Sequence, residues 1–157
     1  MSAPEEPAAE TGEALERARQ RRHALAQAAD ALEAALARPA GDAEAWRAQV
    51  GAALGAVDAA LDDHVAEVEG PDGLYAEILE RTPRLAHQIE VLRREHVDLR
   101  DRVAAIRPRL TASLDEGEIE RIREDSLDLL KQISRHRHRG ADLVFESYDS
   151  DIGGEGD

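Results

Sequence analysis

Four stretches of the chain carry apolar residues at alternating steps of three and four positions, the spacing of one face of an amphipathic helix. Proline or glycine residues, which interrupt helices, separate these stretches. The predicted helices run from about Glu13 to Arg38, from the residue after Asp42 to the residue before Gly70, from Pro83 to about Arg107, and onward from a start between Ser113 and Glu118. Asp42 and Thr82 are the predicted N-caps of the second and third of these helices. The connector 70–81, GPDGLYAEILER, is predicted to hold one or two helical turns of its own.

Each predicted helix has one stripe of residues that it is expected to bury. The stripes comprise Leu25, Ala29, Leu32 and Leu36; Trp46, Val50, Ala53, Val57 and His64; Leu85, Ile89, Leu92, His96, Leu99, Val103 and Ile106; and Ile119, Ile122, Ser126, Leu129, Ile133, His136, Gly140, Leu143 and Ser147. A repeat close to 3.5 residues in successive segments is typical of helices that share one core. The pattern therefore predicts an all-α protein, an antiparallel four-helix bundle.

Composition agrees with a single helical domain. The chain has 157 residues, of which 42% are apolar and 3% are aromatic, and so few aromatic residues argue against a β-sandwich or barrel. We predict that residues 13–148 form the bundle. We expect residues 1–12 to be a disordered lead and residues 149–157 to be a disordered, acidic, glycine-rich tail, since neither segment has an apolar period.

Charge and residue types narrow the functional classes. A formal net charge of -14 repels phosphate backbones and anionic lipid surfaces, so we expect neither nucleic acid nor membrane as a partner. The sequence shows no membrane span and no signal peptide, which predicts a cytoplasmic protein. The chain has no cysteine, so His, Asp and Glu are the remaining metal ligands. Motifs of phosphate-loop or nucleophile-elbow enzymes are missing, which favours a binding or sensing protein over an enzyme.

The six histidines fall into two groups by helical angle. His23, His87 and His138 lie on the faces opposite the apolar stripes, where we expect solvated side chains. His64, His96 and His136 lie on the stripes of three different helices. A single core histidine is most simply a neutral imidazole hydrogen-bonded to a neighbour. Three of them together favour a shared metal ion, because burying an imidazole without a partner costs a few kcal/mol.

Carboxylates that could complete such a site are few. Glu67, one helical turn after His64, is the best candidate ligand, whereas Glu69 and Glu95 are expected on the flanks of the bundle. Counted from the predicted loops, the three core histidines differ in depth by about 10 to 15 Å, unless the connectors change the register. A shared ion would not tolerate such a gap.

Three segments resemble the hemerythrin-like, or HHE cation-binding, family. They are LDDHVAEVEGPDGLYAEI, PRLAHQIEVLRREHVDL and LLKQISRHRHRGADLVFESYDSDIGG, which contain the three core histidines. The resemblance implies a bundle that presents histidines and carboxylates to a di-iron centre and binds dioxygen or another small gas. It also implies a ligand from the first helix, which would be His23. The positions of three further family ligands are occupied by Val68, Arg100 and Gly140, so the ligand set is altered.

Two functional hypotheses follow. The first is a hemerythrin-like metal-binding bundle in which His64, His96, His136, Glu67 and His23 hold one or two metal ions, with iron as the expected cofactor. The second is a metal-free helical interaction module on the same scaffold, which would act through its acidic surface on a basic protein partner. In the second hypothesis the core histidines are merely buried.

Overall fold

The computed structural model describes the backbone of residues 6–154 and the side chains of residues 12–149. This part of the chain is helical and contains no strand, which confirms the predicted all-α class and a helical bundle. The α-helices are α1 (Glu6–Ala37), α2 (Ala43–Glu69), α3 (Leu74–Arg81), α4 (Ala86–Ile106) and α5 (Glu116–Gly154). Two short 3₁₀ helices, Pro83–Leu85 and Arg107–Thr111, precede and follow α4.

The helix boundaries follow from local chemistry. The Asp42 side chain caps α2 by accepting hydrogen bonds from the backbone N–H groups of Glu44 and Ala45, as its position predicted. Thr82 was predicted to cap the third long helix, but its side chain makes no capping bond, and Pro83 instead opens a 3₁₀ turn that leads into α4. The predicted turns in the connector are the eight residues of α3.

The two terminal helices are longer than predicted. Helix α1 begins at Glu6 rather than Glu13, and α5 continues to Gly154, so residues 6–12 and 149–154 are helical where disorder was expected. Pro7 is compatible with this start, because the N–H groups of a first helical turn have no partner within the helix. No proline follows Pro108, so nothing in the sequence forces α5 to end at the predicted position. The predicted disorder of residues 1–5 and 155–157 falls outside the described residues.

The predicted stripes form the core. Except for Ala53 and Gly140, which are half-buried, every stripe residue is buried. Helix α1 packs mainly on α2, and α4 mainly on α5, while α1 with α5 and α2 with α4 join the two pairs. The described helices include none that is both long and apolar enough to cross a bilayer.

The buried apolar residues form two clusters along the bundle. One contains Trp46, Leu61 and Leu99, and the other contains Leu92, Leu143 and the three buried residues of α3, Leu74, Tyr75 and Ile78. The turn between α2 and α3 is tight at Gly73, where a β-carbon would collide with backbone carbonyl oxygens at the end of α2. Helix α3 is thereby held against the end of α2, and its side chains close the second cluster. The three buried histidines lie in sequence between residues of the two clusters, on α2, α4 and α5.

Candidate metal centre

Three imidazoles from three helices meet inside the bundle. His64 of α2, His96 of α4 and His136 of α5 are 8%, 1% and 3% exposed. Their ring centroids lie 5.1 Å apart for His64 and His96, 5.5 Å for His64 and His136, and 4.6 Å for His96 and His136. One ring nitrogen from each residue lies within 4.8 Å of the other two. The three core histidines that the apolar stripes singled out therefore form one cluster, which we call the histidine triad.

The predicted difference in depth between these histidines is wrong. It was counted from the predicted helix ends, and the connectors change that count. The 3₁₀ helix Arg107–Thr111 prolongs α4 before the chain turns into α5, and α3 fills the end of the bundle beyond α2. The three histidines are thus at different distances from the ends of their own helices. They nevertheless lie at the same depth along the bundle, where their rings are adjacent.

Two acidic side chains fix the orientation of two imidazoles. Nδ1 of His96 lies 3.1 Å from Oε2 of Glu69, and Nδ1 of His136 lies 2.8 Å from Oε1 of Glu95. A carboxylate only accepts hydrogen bonds, so each Nδ1 carries the proton and donates it. The Nε2 atom of each neutral imidazole is then left with a free lone pair. Lone pairs on Nε2 are what a metal ion requires of histidine.

Each of these carboxylates is also held by an arginine. Glu69 forms an ion pair with Arg93 at 3.7 Å, and Glu95 forms one with Arg139. Each carboxylate lies on a different helix from the histidine that it contacts. Glu69 is the last residue of α2 and contacts His96 of α4, whereas Glu95 is on α4 and contacts His136 of α5. Two separate chains of contacts result, and each leads from an arginine through a carboxylate to an imidazole. Such partners orient metal-binding histidines in known sites.

The inner nitrogens of the triad are poorly satisfied. Nε2 of His96 and Nδ1 of His64 are buried and have no hydrogen-bond partner among the described residues. Nε2 of His64 faces Nε2 of His136 at 3.4 Å, which is long for a hydrogen bond between nitrogens. Buried polar atoms are almost always paired in folded proteins, so two unpaired nitrogens in one cluster call for an explanation.

All three imidazoles are neutral at physiological pH. Burial is the main cause that lowers the pKa of His64 to about 3, and the neighbouring His136 and Arg22 make smaller contributions to the same shift. Burial also lowers the pKa of His96 to about 2, with smaller effects from the other two histidines and from nearby arginines. The pKa of His136 is lowered to about 4 by burial. Protons therefore do not compete for these nitrogens near pH 7.

The dimensions of the triad suit one metal ion. Two imidazole nitrogens bound to the same tetrahedral ion, at about 2.0 to 2.1 Å from it, lie about 3.3 Å apart. The Nε2 atoms of His64 and His136 are already at 3.4 Å. The other donor distances in the triad are at most 4.8 Å. No carboxylate oxygen belongs to this group within the described part of the chain, so the donor set is three imidazoles.

Two other predicted ligands lie outside the triad. The Glu67 carboxylate, although one turn from His64, forms an ion pair with Arg17 of α1 at 3.2 Å. His23 is exposed on α1, on the face that helical periodicity assigned to solvent. His87 and His138 are exposed as well, as predicted. Among the predicted site residues, the structure thus brings together only the three that lie on core stripes.

Three contributors to the site were not anticipated. Glu69 and Glu95 were expected on solvated flanks, and Tyr75 was only part of a connector. The Tyr75 ring is buried and stacks on His96, with ring centroids 6.0 Å apart and ring planes 6° from parallel. Burial raises the pKa of its hydroxyl, with a smaller effect from Glu69. The sequence signal for Glu95 is its position beside a core histidine, because adjacent helical residues point about 100° apart and the second one reaches a neighbouring helix.

Comparison with known proteins identifies no relative of the chain. No protein-family model matches it, no curated protein matches it, and no solved structure matches it. The functional argument therefore depends on the histidine triad and its surroundings.

Proposed function

We propose that this protein binds one first-row transition-metal ion through His64, His96 and His136. The observation that carries the proposal is the triad itself, in which three buried, neutral imidazoles place ligand nitrogens within 4.8 Å of one another. Imidazole suits iron, copper, zinc and nickel ions. Without a carboxylate among the inner donors, one ion fits the residues better than the two of a di-iron centre.

A bound ion accounts for features that a purely structural core does not. Nε2 of His96, which has no hydrogen-bond partner among the described residues, would bind the ion. The Nε2 atoms of His64 and His136 would bind the same ion instead of contacting only each other. The hydrogen bonds from Nδ1 to Glu69 and Glu95 would supply negative charge next to the cationic site. Both effects lower the free energy of the metal-bound state relative to the metal-free protein.

The resemblance to the hemerythrin-like family adds two parts to the proposal. It implies that the bundle is antiparallel in the hemerythrin-like manner and that the ion is iron. An ion held by three protein ligands keeps a coordination position for an external ligand, and this is the chemistry that it would supply here. On this basis we propose a binding or sensing role toward a small ligand, such as dioxygen or another small gas, rather than catalysis.

Metal content of the purified protein tests the proposal. Untagged protein from cells grown with added iron, purified without chelator, should contain about one metal ion per chain by inductively coupled plasma mass spectrometry. Two irons per chain would instead support the di-iron site that the family resemblance implies. A metal-free protein that also fails to take up Fe²⁺, Zn²⁺, Co²⁺ or Cu²⁺ in titration would contradict the proposal and favour the metal-free interaction module.

The two carboxylates that accept from the triad should tune its affinity. We expect Glu95→Gln and Glu69→Gln each to weaken metal binding about 10- to 100-fold, because the amide gives the imidazole a weaker acceptor and no negative charge. Titration with a competing chelator measures the change. Glu67→Gln is the matched control, since Glu67 is on the same helix as Glu69 but contacts Arg17. Equal losses for all three variants would show that overall charge, not contact with the triad, controls affinity.

A further inference from the structure

A small cavity connects the triad to the surface. It has a volume of about 30 Å³, lies between α1, α2, α3 and α5, and reaches the side chains of His64 and His136. Its inner wall is largely apolar and includes Leu15, Leu74 and Leu143. A volume of this size holds about two water-sized groups. Any external ligand that reaches the triad by this route is therefore limited to a few non-hydrogen atoms.

Three arginines line the same cavity. Arg19 and Arg22 project from α1, and Arg137 projects from α5 beside His136. Arg22 also borders two wider surface grooves, one shared with Arg19 and one shared with Arg137. These three arginines, which we call the arginine rim, thus line the same cavity as His64 and His136.

Among the side chains of residues 12–149, the arginine rim has no anionic partner. Neighbouring arginines are paired, Arg17 with Glu67, Arg21 with Asp63 and Arg139 with Glu95. Within residues 12–149 no carboxylate forms an ion pair with any member of the rim, although the chain has 34 acidic residues. In a protein of net charge -14, three clustered arginines without a counter-charge are an exception that local ion pairing does not explain.

The rim is also partly desolvated. Arg22 and Arg137 are half-buried, and Nε of Arg137 is buried with no hydrogen-bond partner in the part of the chain whose side chains are described. Burial lowers the pKa of Arg22, and the charges of Arg137 and Arg19 lower it further, which shows that the three cations repel one another. Mutual repulsion and an unpaired donor both decrease when an anion binds between them.

We propose that the cavity is the entry site for a small anion of two or three non-hydrogen atoms, which the arginine rim attracts and which binds beside the triad. The inference rests on the proposed metal site, because it assigns the ligand that would occupy the ion's remaining position. The apolar inner wall restricts the size of that ligand, and the three cations select its charge. The residues that determine the size and the charge of the ligand therefore lie outside the triad.

Azide, a linear anion of three atoms, is a suitable probe. Its affinity for Co²⁺-loaded protein should be measured by visible absorption for the wild type, Arg22→Gln, Arg137→Gln and the double variant. We expect azide to bind about tenfold more weakly for each substitution and more weakly still for the double variant. Arg84→Gln, which removes an exposed arginine that does not line the cavity, is the matched control and should leave azide affinity unchanged. An unchanged azide affinity in the double variant would overturn the proposal.

Metal content measured on the same samples separates the two proposals. If all variants hold one Co²⁺ per chain while azide affinity falls only in the rim variants, both proposals are supported. If the wild type holds no metal, the metal proposal fails, and azide is titrated into metal-free protein by amide NMR. Shifts at Gly140 and Val144, which line the cavity and are retained in the double variant, would then support the anion site alone if they vanish in that variant. Absence of shifts in the wild type would reject it.

Discussion

Substitution of His64 by leucine should abolish metal binding and stabilise the metal-free protein. His64 is buried, its Nδ1 atom has no partner, and its Nε2 atom has only the long contact to His136. Leucine has a similar volume and no polar atom, so the metal-free variant should gain about 1 to 2 kcal/mol of unfolding free energy. Loss of one of three ligands should weaken metal affinity by at least about 10³-fold, on the scale of the free energies with which structural sites hold metal.

Chemical denaturation of metal-free protein and chelator competition measure the two effects separately. His23→Ala is the matched control, since it removes an exposed histidine that the family resemblance placed in the ligand set. It should change neither quantity. A His64→Leu variant that is less stable than the metal-free wild type would show that His64 serves the core, and a fully retained metal site would show that it is not a ligand.

We expect His64→Leu to lower metal affinity and to raise the unfolding free energy of the metal-free protein. This combination distinguishes a residue that serves binding from one that serves the fold. Residues that stabilise a fold lower its stability when they are replaced, as is usual for core positions. A residue kept for binding can be unfavourable in the unbound protein, because selection acts on the bound state. The triad has this character, since Nε2 of His96 has no hydrogen-bond partner among the described residues and the Nε2 atoms of His64 and His136 make only a long contact with each other.

Much of the fold and the centre of the site could be predicted from the sequence. The regular stripe of α4, from Leu85 to Ile106, places His96 among buried leucines and valines, and the stripe of α5 does the same for His136. The 3.5-residue period predicts which side chains of a helix are buried, because it depends on the sequence of that helix alone. The same argument correctly placed His23, His87 and His138 on the surface.

The surroundings of the triad could not be predicted in this way, because they depend on contacts between helices. Glu69 and Glu95 lie beside the buried stripes of their own helices, not on them. They become partners of His96 and His136 only because a second helix packs against each of them. The relative depth of the histidines depends on two 3₁₀ segments and on α3, whose lengths periodicity does not specify. Glu67 illustrates the converse, since its favourable spacing from His64 was outweighed by the proximity of Arg17 on α1.

The metal-free protein should lose stability steeply between pH 7 and pH 5. The pKa values of His64, His96 and His136 in the folded protein are about 3, 2 and 4, whereas an imidazole in the unfolded chain has a pKa near 6.5. Below pH 6.5 the unfolded chain therefore binds protons that the folded protein does not, and stability falls as the pH is lowered. Above pH 7 these groups contribute no further change.

The size of this effect follows from the same difference. At pH 5 each imidazole favours the unfolded state by about 2 kcal/mol, and the three together by about 6 kcal/mol, which is comparable to the whole stability of a typical domain. Urea unfolding followed by circular dichroism at pH 5, 6, 7 and 8 measures it. His64→Leu should remove about a third of the pH dependence, and His87→Ala should leave it unchanged because His87 is exposed. A stability that is flat from pH 8 to 5 would mean that the triad accepts protons in the folded state, so that its nitrogens are not held free for a metal ion.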